Sequence, residues 1–230
     1  MKFFSFLLGI LLAANMCFAY ASELSGAKMH SNKPMSTDEL NALNMQCYNT
    51  RASDWDRLPF ADFLPNEILL KHQPVAGMRA LDIGSGTGML AQWLSKHGFS
   101  VLCLDPSDEM VRRCRKKGLE TVQTTLQEYQ PKEKFGLIVA VLSLIHVPKR
   151  EISQELKRIA SWLNPGGTFV LTVIEGRGEG VGEQYSGTPR YFSYYTRQEV
   201  LDLTQSDFHC VFEKRTNPPI PYLIFIFQKK

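Results

Sequence analysis

Ala80-Leu81-Asp82-Ile83-Gly84-Ser85-Gly86-Thr87-Gly88 decides the fold. An apolar, branched run carries an acidic residue near its end, passes into three glycines at alternate positions, and continues into the helical pattern of residues 89–96. Strand, glycine loop and helix in this order bind small polar ligands: glycine lets the backbone approach closely, and the helix start presents free amides. A tight turn alone would account for one or two of the glycines. The dinucleotide fingerprint G-x-G-x-x-G is not met, because Met89 stands where its third glycine belongs and Gly88 falls one residue early. Asp82 would also repel a pyrophosphate. It suits a ligand carrying an amine or a positive charge.

The next run, Val101-Leu102-Cys103-Leu104-Asp105, again closes on a carboxylate. At the tip of a second strand such a group can accept both hydroxyls of a ribose. The competing role is an N-cap for the helix beginning near Ser107, although Ser107 is itself well placed for that. Strand-like runs at 79–83, 100–104, 121–124, 135–142 and 168–174 alternate with helical patterns at 89–96, 107–117 and 151–163. This βαβ succession predicts parallel strands with right-handed crossovers and helices on both faces. Runs at 208–214 and 222–228 flank Asn217-Pro218-Pro219-Ile220-Pro221 with no helix between, so they must pair antiparallel. The expected fold is α/β: a doubly wound, seven-stranded, mostly parallel sheet with its last strand antiparallel. Upstream, 37–48 has the spacing of a short amphipathic helix with Asp38 and Glu39 near its start, and Pro65 opens a second helix that ends before Pro74.

At 230 residues, 44% hydrophobic and 21% charged, the chain has enough apolar content for a packed core. Its net charge of +3 comes from mixed acidic and basic residues and leaves no footprint for nucleic acid. The beginning is atypical. Lys2 precedes an uncharged stretch that lasts to Ser22, residues 3–14 are apolar, and Ala19-Tyr20-Ala21 has the small-x-small form of a cleavage site. The expectation is a signal peptide over 1–21, a polar linker over 22–36 and the folded domain over 37–230, in a periplasmic or secreted protein. Two alternatives stand beside it: an uncleaved N-terminal membrane anchor, and a cytoplasmic protein that starts at Met35. A lipoprotein site at Cys17 is disfavoured by the bulk of Met16. The five cysteines show no C-x-x-C spacing and no nearby histidine pair, so they are read as reduced structural thiols and no metal site is expected.

Taken together, the residues resemble the class I S-adenosylmethionine-dependent methyltransferases of the small-molecule type (methyltransferase type 11), related to quinone-biosynthesis methyltransferases. The resemblance runs over 48–230. It rests on residues 81–88, on Asp105, on Phe135-Gly136-Leu137-Ile138-Val139-Ala140-Val141-Leu142-Ser143 as the fourth strand, and on Leu163-Asn164-Pro165-Gly166-Gly167 as the turn after a helix. It implies S-adenosylmethionine as donor and S-adenosylhomocysteine as product. Asp82 and the loop Gly84, Ser85, Gly86 and Gly88 would hold the methionine amine and carboxylate, and Asp105 the ribose. Pro106, Thr125 and Leu126 would lie beside the adenine, with Leu142 at the end of the fourth strand. Tyr48 and Arg51 look like an N-terminal lid over the methionine end. Thr125 and Leu126 depart from the acidic or amide residue and small residue usual there; Gly136 and Ser85 replace a common Asp and a common Cys.

A sulfonium donor is already activated, so the protein has mainly to align the acceptor and exclude water. His146, just past the fourth strand, is the candidate catalytic base; contact with cofactor or acceptor and simple packing are its other roles. His30, His72, His97 and His209 are read as structural. Acceptor choice is expected from 175–195, a glycine-rich segment followed by Tyr185, Tyr191, Phe192, Tyr194 and Tyr195. It is either a lid over a flat acceptor or an exposed loop with an edge-strand row of aromatics. Arg112-Arg113-Cys114-Arg115-Lys116-Lys117 is a solvated helix face. The resulting function is methyl transfer to a small-molecule acceptor, with membrane contact only through an uncleaved N-terminus. A noncatalytic S-adenosylmethionine- or S-adenosylhomocysteine-binding module and a nicotinamide oxidoreductase are the alternatives. Mass spectrometry of protein expressed with an export apparatus is expected to find a mature chain beginning at Ser22; a chain retaining Met1 would point to the anchor.

Overall fold

The computed structural model describes residues 35–56, 78–182, 188–216 and 221–230. The expected signal peptide, most of the polar linker and the helix opening at Pro65 lie outside them. In chain order the elements are α1 (Thr37–Trp55), β1 (Arg79–Ile83), α2 (Met89–Lys96), β2 (Ser100–Asp105), α3 (Asp108–Lys116), β3 (Glu120–Gln123), β4 (Phe135–Val141) and a 3-10 turn (Leu144–His146). There follow α4 (Lys149–Trp162), β5 (Leu163–Ile174), β6 (Glu179–Gly182), β7 (Arg190–Ser193), α5 (Arg197–Thr204), β8 (Phe208–Arg215) and β9 (Tyr222–Lys229).

Seven strands form one sheet in the order β3-β2-β1-β4-β5-β9-β8. The first five are mutually parallel; β9 runs antiparallel to β5 on one side and to β8 on the other. The direct return from β8 to β9 without a helix requires this reversal. Strand order changes direction between β1 and β4, which opens a crevice at their carboxyl ends. Both central strands are buried almost throughout because helices cover both faces. On one side Leu90, Leu94, Cys103 and Cys114 pack against Val139 and Val170; on the other Ile152, Leu156 and Ile159 of α4 pack with Phe169, Phe208 and Phe227.

Three departures from expectation have local causes. Helix α1 does not stop at residue 48: Thr50 Oγ1 returns to the Gln46 carbonyl, Arg51 pairs with Asp54, and Ala52 is buried, so the helix runs on to Trp55. Its start is a capping box of Ser36 and Glu39. The expected turn at 163–167 is instead the beginning of β5, because Leu163 pairs with Phe135 across a register irregularity that Gly166 (φ +69°) accommodates. The described residues of the inserted segment are not an exposed row of aromatics; residues 183–187, with Tyr185, lie outside them. β6 and β7 pair antiparallel, and Tyr191, Phe192 and Tyr195 are buried.

Phe227 is fully buried and meets the rings of Phe169, Phe208 and Phe225, whereas Val211 on β8 is 42% exposed. Phe227→Ala is expected to lower the unfolding free energy by about 3–5 kcal/mol in denaturant titrations. Val211→Ala should change it by no more than about 0.5 kcal/mol.

Candidate functional site

The glycine loop is held open by β2 and α3. The amides of Gly84 and Ser85 donate to the Leu104 carbonyl at 2.7 and 3.1 Å. Gly86 N–H donates to Asp105 Oδ2 at 2.8 Å, and Ser107 N–H to Oδ1 at 2.9 Å. From α3 and its end, Cys114 Sγ reaches the Gly86 carbonyl at 3.2 Å and Lys117 Nζ the Thr87 carbonyl at 2.6 Å. Gly84, Gly86 and Gly88 all have positive φ. At Gly84 a Cβ would come within 2.4 Å of Ser143 Cβ, so only glycine lets the loop meet the end of β4.

Asp105 is not the helix cap. Ser107 caps α3 through its Oγ, which accepts from Met110 N–H. Each Asp105 oxygen has accepted one amide and keeps a second lone pair. Burial raises its pKa to about 6, against the pull of the Ser107 and Gly86 amides. Asp82 is 2% exposed, and its Oδ2 has no hydrogen-bond partner among the described residues. Burial first, then nearby Cys114 and Asp105, push its pKa well above the usual carboxylate range. Ser143 Oγ, across Gly84, is likewise buried without a partner among the described residues. Beside it Leu142 holds φ +53°, a conformation that costs a non-glycine residue roughly 1–2 kcal/mol and concentrates at functional sites.

Helix α1 lies over this end of the sheet. Asn49 Oδ1 accepts from Ser107 Oγ (2.6 Å) and Glu109 N–H (3.2 Å), and Asn44 Oδ1 accepts from Tyr191 N–H (2.9 Å). Asp56, following the helix, pairs with Arg113 and Lys117. Between these ties Tyr48 Oη sits 2.6 Å from His146 Nε2. His146 Nδ1 lies 2.7 Å from the Tyr191 carbonyl, so it carries the hydrogen and Nε2 is the acceptor. Burial and then the charge of Arg190 lower the histidine pKa to about 3, and the ring is neutral. Its basic lone pair is already occupied by Tyr48.

Arg190 was not anticipated from the sequence. Only 2% exposed, its guanidinium lies 4.8–5.3 Å from the ring centroids of Phe192, Tyr48 and Trp55, and Nη1 donates to Tyr48 Oη at 3.1 Å. An arginine between a loop and an aromatic pair carries no local sign that it is buried; the aromatics Tyr191 and Phe192 beside it were the available signal. The other expected residues have contacts of their own. Arg51 pairs with Asp54, Thr125 Oγ1 bonds Glu128, Leu126 joins the core, and Pro106 stays partly buried. On the basic face of α3, Arg112 pairs with Glu109 and Arg113 with Asp56, while Arg115 and Lys116 are exposed. Cys47, Cys103, Cys114 and Cys210 are free thiols.

An open α/β sheet with a glycine loop and two buried carboxylates at its switch point defines a nucleotide-type ligand site. A family model described as a methyltransferase domain matches residues 56–206, and the chain belongs to that family. It is 31% identical over 106 residues to the ubiquinone biosynthesis O-methyltransferase of Bradyrhizobium diazoefficiens, covering 44% of this chain and 41% of that protein. The corresponding protein of Paramagnetospirillum magneticum is 31% identical over 116 residues, covering 48% and 45%. The match thus spans less than half the length of either relative. Among solved structures, the Burkholderia thailandensis 1,6-didemethyltoxoflavin-N1-methyltransferase, with 1,6-didemethyltoxoflavin and S-adenosylhomocysteine bound, has a TM-score of 0.70 at 20% identity. That likeness covers 87% of this chain and 93% of the other. The Bradyrhizobium japonicum N-methyltransferase NodS, in complex with S-adenosylhomocysteine, has a TM-score of 0.63 at 16% identity over 80% and 97%. These structures share the fold.

The raised pKa of Asp105 has a definite sign. Its contribution to stability is full below the unfolded value of roughly 3.9 and is lost as pH rises through about 6. Thermal melts of ligand-free protein should therefore show Asp105→Ala gaining on the wild type between pH 4 and 7, by on the order of 2 kcal/mol. A constant difference across that range would contradict it.

Proposed function

We propose that this chain is an S-adenosylmethionine-dependent methyltransferase acting on a small-molecule acceptor. The observation that carries the proposal is Asp82: a buried carboxylate oxygen without a partner among the described residues, beside a loop in which close approach requires glycine at positions 84 and 88. An uncompensated buried carboxylate is costly, and an ammonium group of a ligand would offset that cost and return its pKa toward normal. The second lone pairs of Asp105 suit two ribose hydroxyls. A Cβ placed on Gly86 would meet nothing within 4 Å, which leaves room for ligand there. Family membership supports the same donor.

Bound S-adenosylmethionine supplies a methyl group already activated on a sulfonium. What the protein has to contribute is alignment and exclusion of water, and α1, tied at Asn44, Tyr48, Asn49 and Asp56, covers the site for that purpose. His146, neutral and bonded on both nitrogens, orients Tyr48 in this arrangement and does not stand free as a base. The relatives are named for transfer to oxygen and to nitrogen. Either kind of small acceptor is compatible with the proposal.

Calorimetric titration with S-adenosylhomocysteine should give saturable one-to-one binding. Asp105→Ala is expected to weaken it at least about tenfold, or ~1.4 kcal/mol. Folded wild-type protein that binds NAD and not S-adenosylhomocysteine would overturn the proposal. Binding without transfer to any of a broad acceptor panel would favour a noncatalytic module.

A further inference from the structure

The hydrogen-bond chain through Arg190 goes beyond cofactor binding. A phenol oxygen has one proton and two lone pairs, and a guanidinium can only donate. Arg190 Nη1 therefore occupies one lone pair of Tyr48 Oη. His146 Nδ1 must keep its hydrogen to meet the Tyr191 carbonyl, so Nε2 is an acceptor and takes the phenol proton. The one interaction Tyr48 has left for a ligand is its second lone pair. The proton drawn toward Nε2 also raises the electron density on the oxygen.

Resting on the function proposed above, we propose that Arg190 is a positioning residue. Through Tyr48 and His146 it presents a proton-free face of a phenol oxygen to the ligand and favours the sulfonium cofactor over its uncharged thioether product. A sulfonium polarises its methyl hydrogens positively, and an oxygen lone pair attracts them; a thioether gives no such contact. The groups around Tyr48 are consistent with this role. Arg190 of β7 lies against the faces of Tyr48, Trp55 and Phe192, Asp105 of β2 lies within electrostatic reach, and Cys47 neighbours Tyr48 on α1. Those facing His146 are Tyr48 from α1, and Arg190, the Tyr191 carbonyl and the Phe192 ring from β7.

Calorimetry with S-adenosylmethionine and S-adenosylhomocysteine tests the selection without any turnover. Tyr48→Phe and Arg190→Met should each weaken S-adenosylmethionine about threefold to fivefold more than S-adenosylhomocysteine, the size of one weak carbon–hydrogen to oxygen contact. Arg190→Lys should recover most of the loss, since it restores a donor. Equal losses for both ligands in both variants would mark Arg190 as a packing residue and overturn the inference. The bond directions are read independently of folding in the variants, from nitrogen NMR of the wild-type His146 ring. A neutral ring protonated at Nδ1 from pH 5 to 8 is expected; a ring protonated at Nε2 would overturn the proposal. Failure of folded wild type to bind either ligand would instead reject the proposed function.

Discussion

The Asp105 carboxylate ties the site together. With one oxygen on the Gly86 amide and the other on the Ser107 amide, it joins the glycine loop, the end of β2 and the start of α3. The loop can then hold three positive-φ glycines without collapsing onto the strand ends. The arrangement carries a cost, since a carboxylate 7% exposed and raised to about pH 6 is desolvated faster than two amides can compensate. Asp82 carries the same burden more severely, with an oxygen unpaired among the described residues. Two destabilised carboxylates close together are poor for stability and well suited to a ligand that brings an amine and hydroxyls.

Among the described residues, α1 covers this site and is fastened there by polar contacts. Asn44 and Tyr48 fasten it to the inserted hairpin and the 3-10 turn, and Asn49 and Asp56 fasten it to α3. Several of these ties end on backbone amides or on exposed ion pairs, which contribute modestly. The exception is the trio of Arg190, Tyr48 and His146, where a buried cation lies against aromatic faces and donates to Tyr48. It links the hairpin to the cover and sets the protonation of the histidine.

Much of the fold was legible in the sequence, because alternating strands and helices with carboxylates at the strand tips permit few topologies. Asp82, Asp105, the loop glycines and His146 were identifiable by type and position, and Tyr48 through the family resemblance. Less legible were features that depend on distant partners. Residues 163–167 look like a turn, yet Leu163 pairs with Phe135 and starts a strand. The aromatics after residue 190 were compatible with a lid or an exposed edge; burial against α1 and the 3-10 turn excluded the exposed edge. Arg190 gave no sign of its burial beyond the aromatics Tyr191 and Phe192 that follow it.

By itself, then, the sequence determined the parallel α/β sheet, the antiparallel final strand and the glycine loop with its two acidic strand ends. Each follows from short-range patterning: periodicity, glycine spacing and the absence of a helix before the last strand. The tertiary structure alone decided that Ser107 caps α3 while Asp105 organises the loop, that β9 inserts between β5 and β8, and that His146 is a neutral hydrogen-bond acceptor. The reason is physical. Proton placement and pKa depend on which groups share a buried volume, and residues 48, 146 and 190 come together only when the chain has folded.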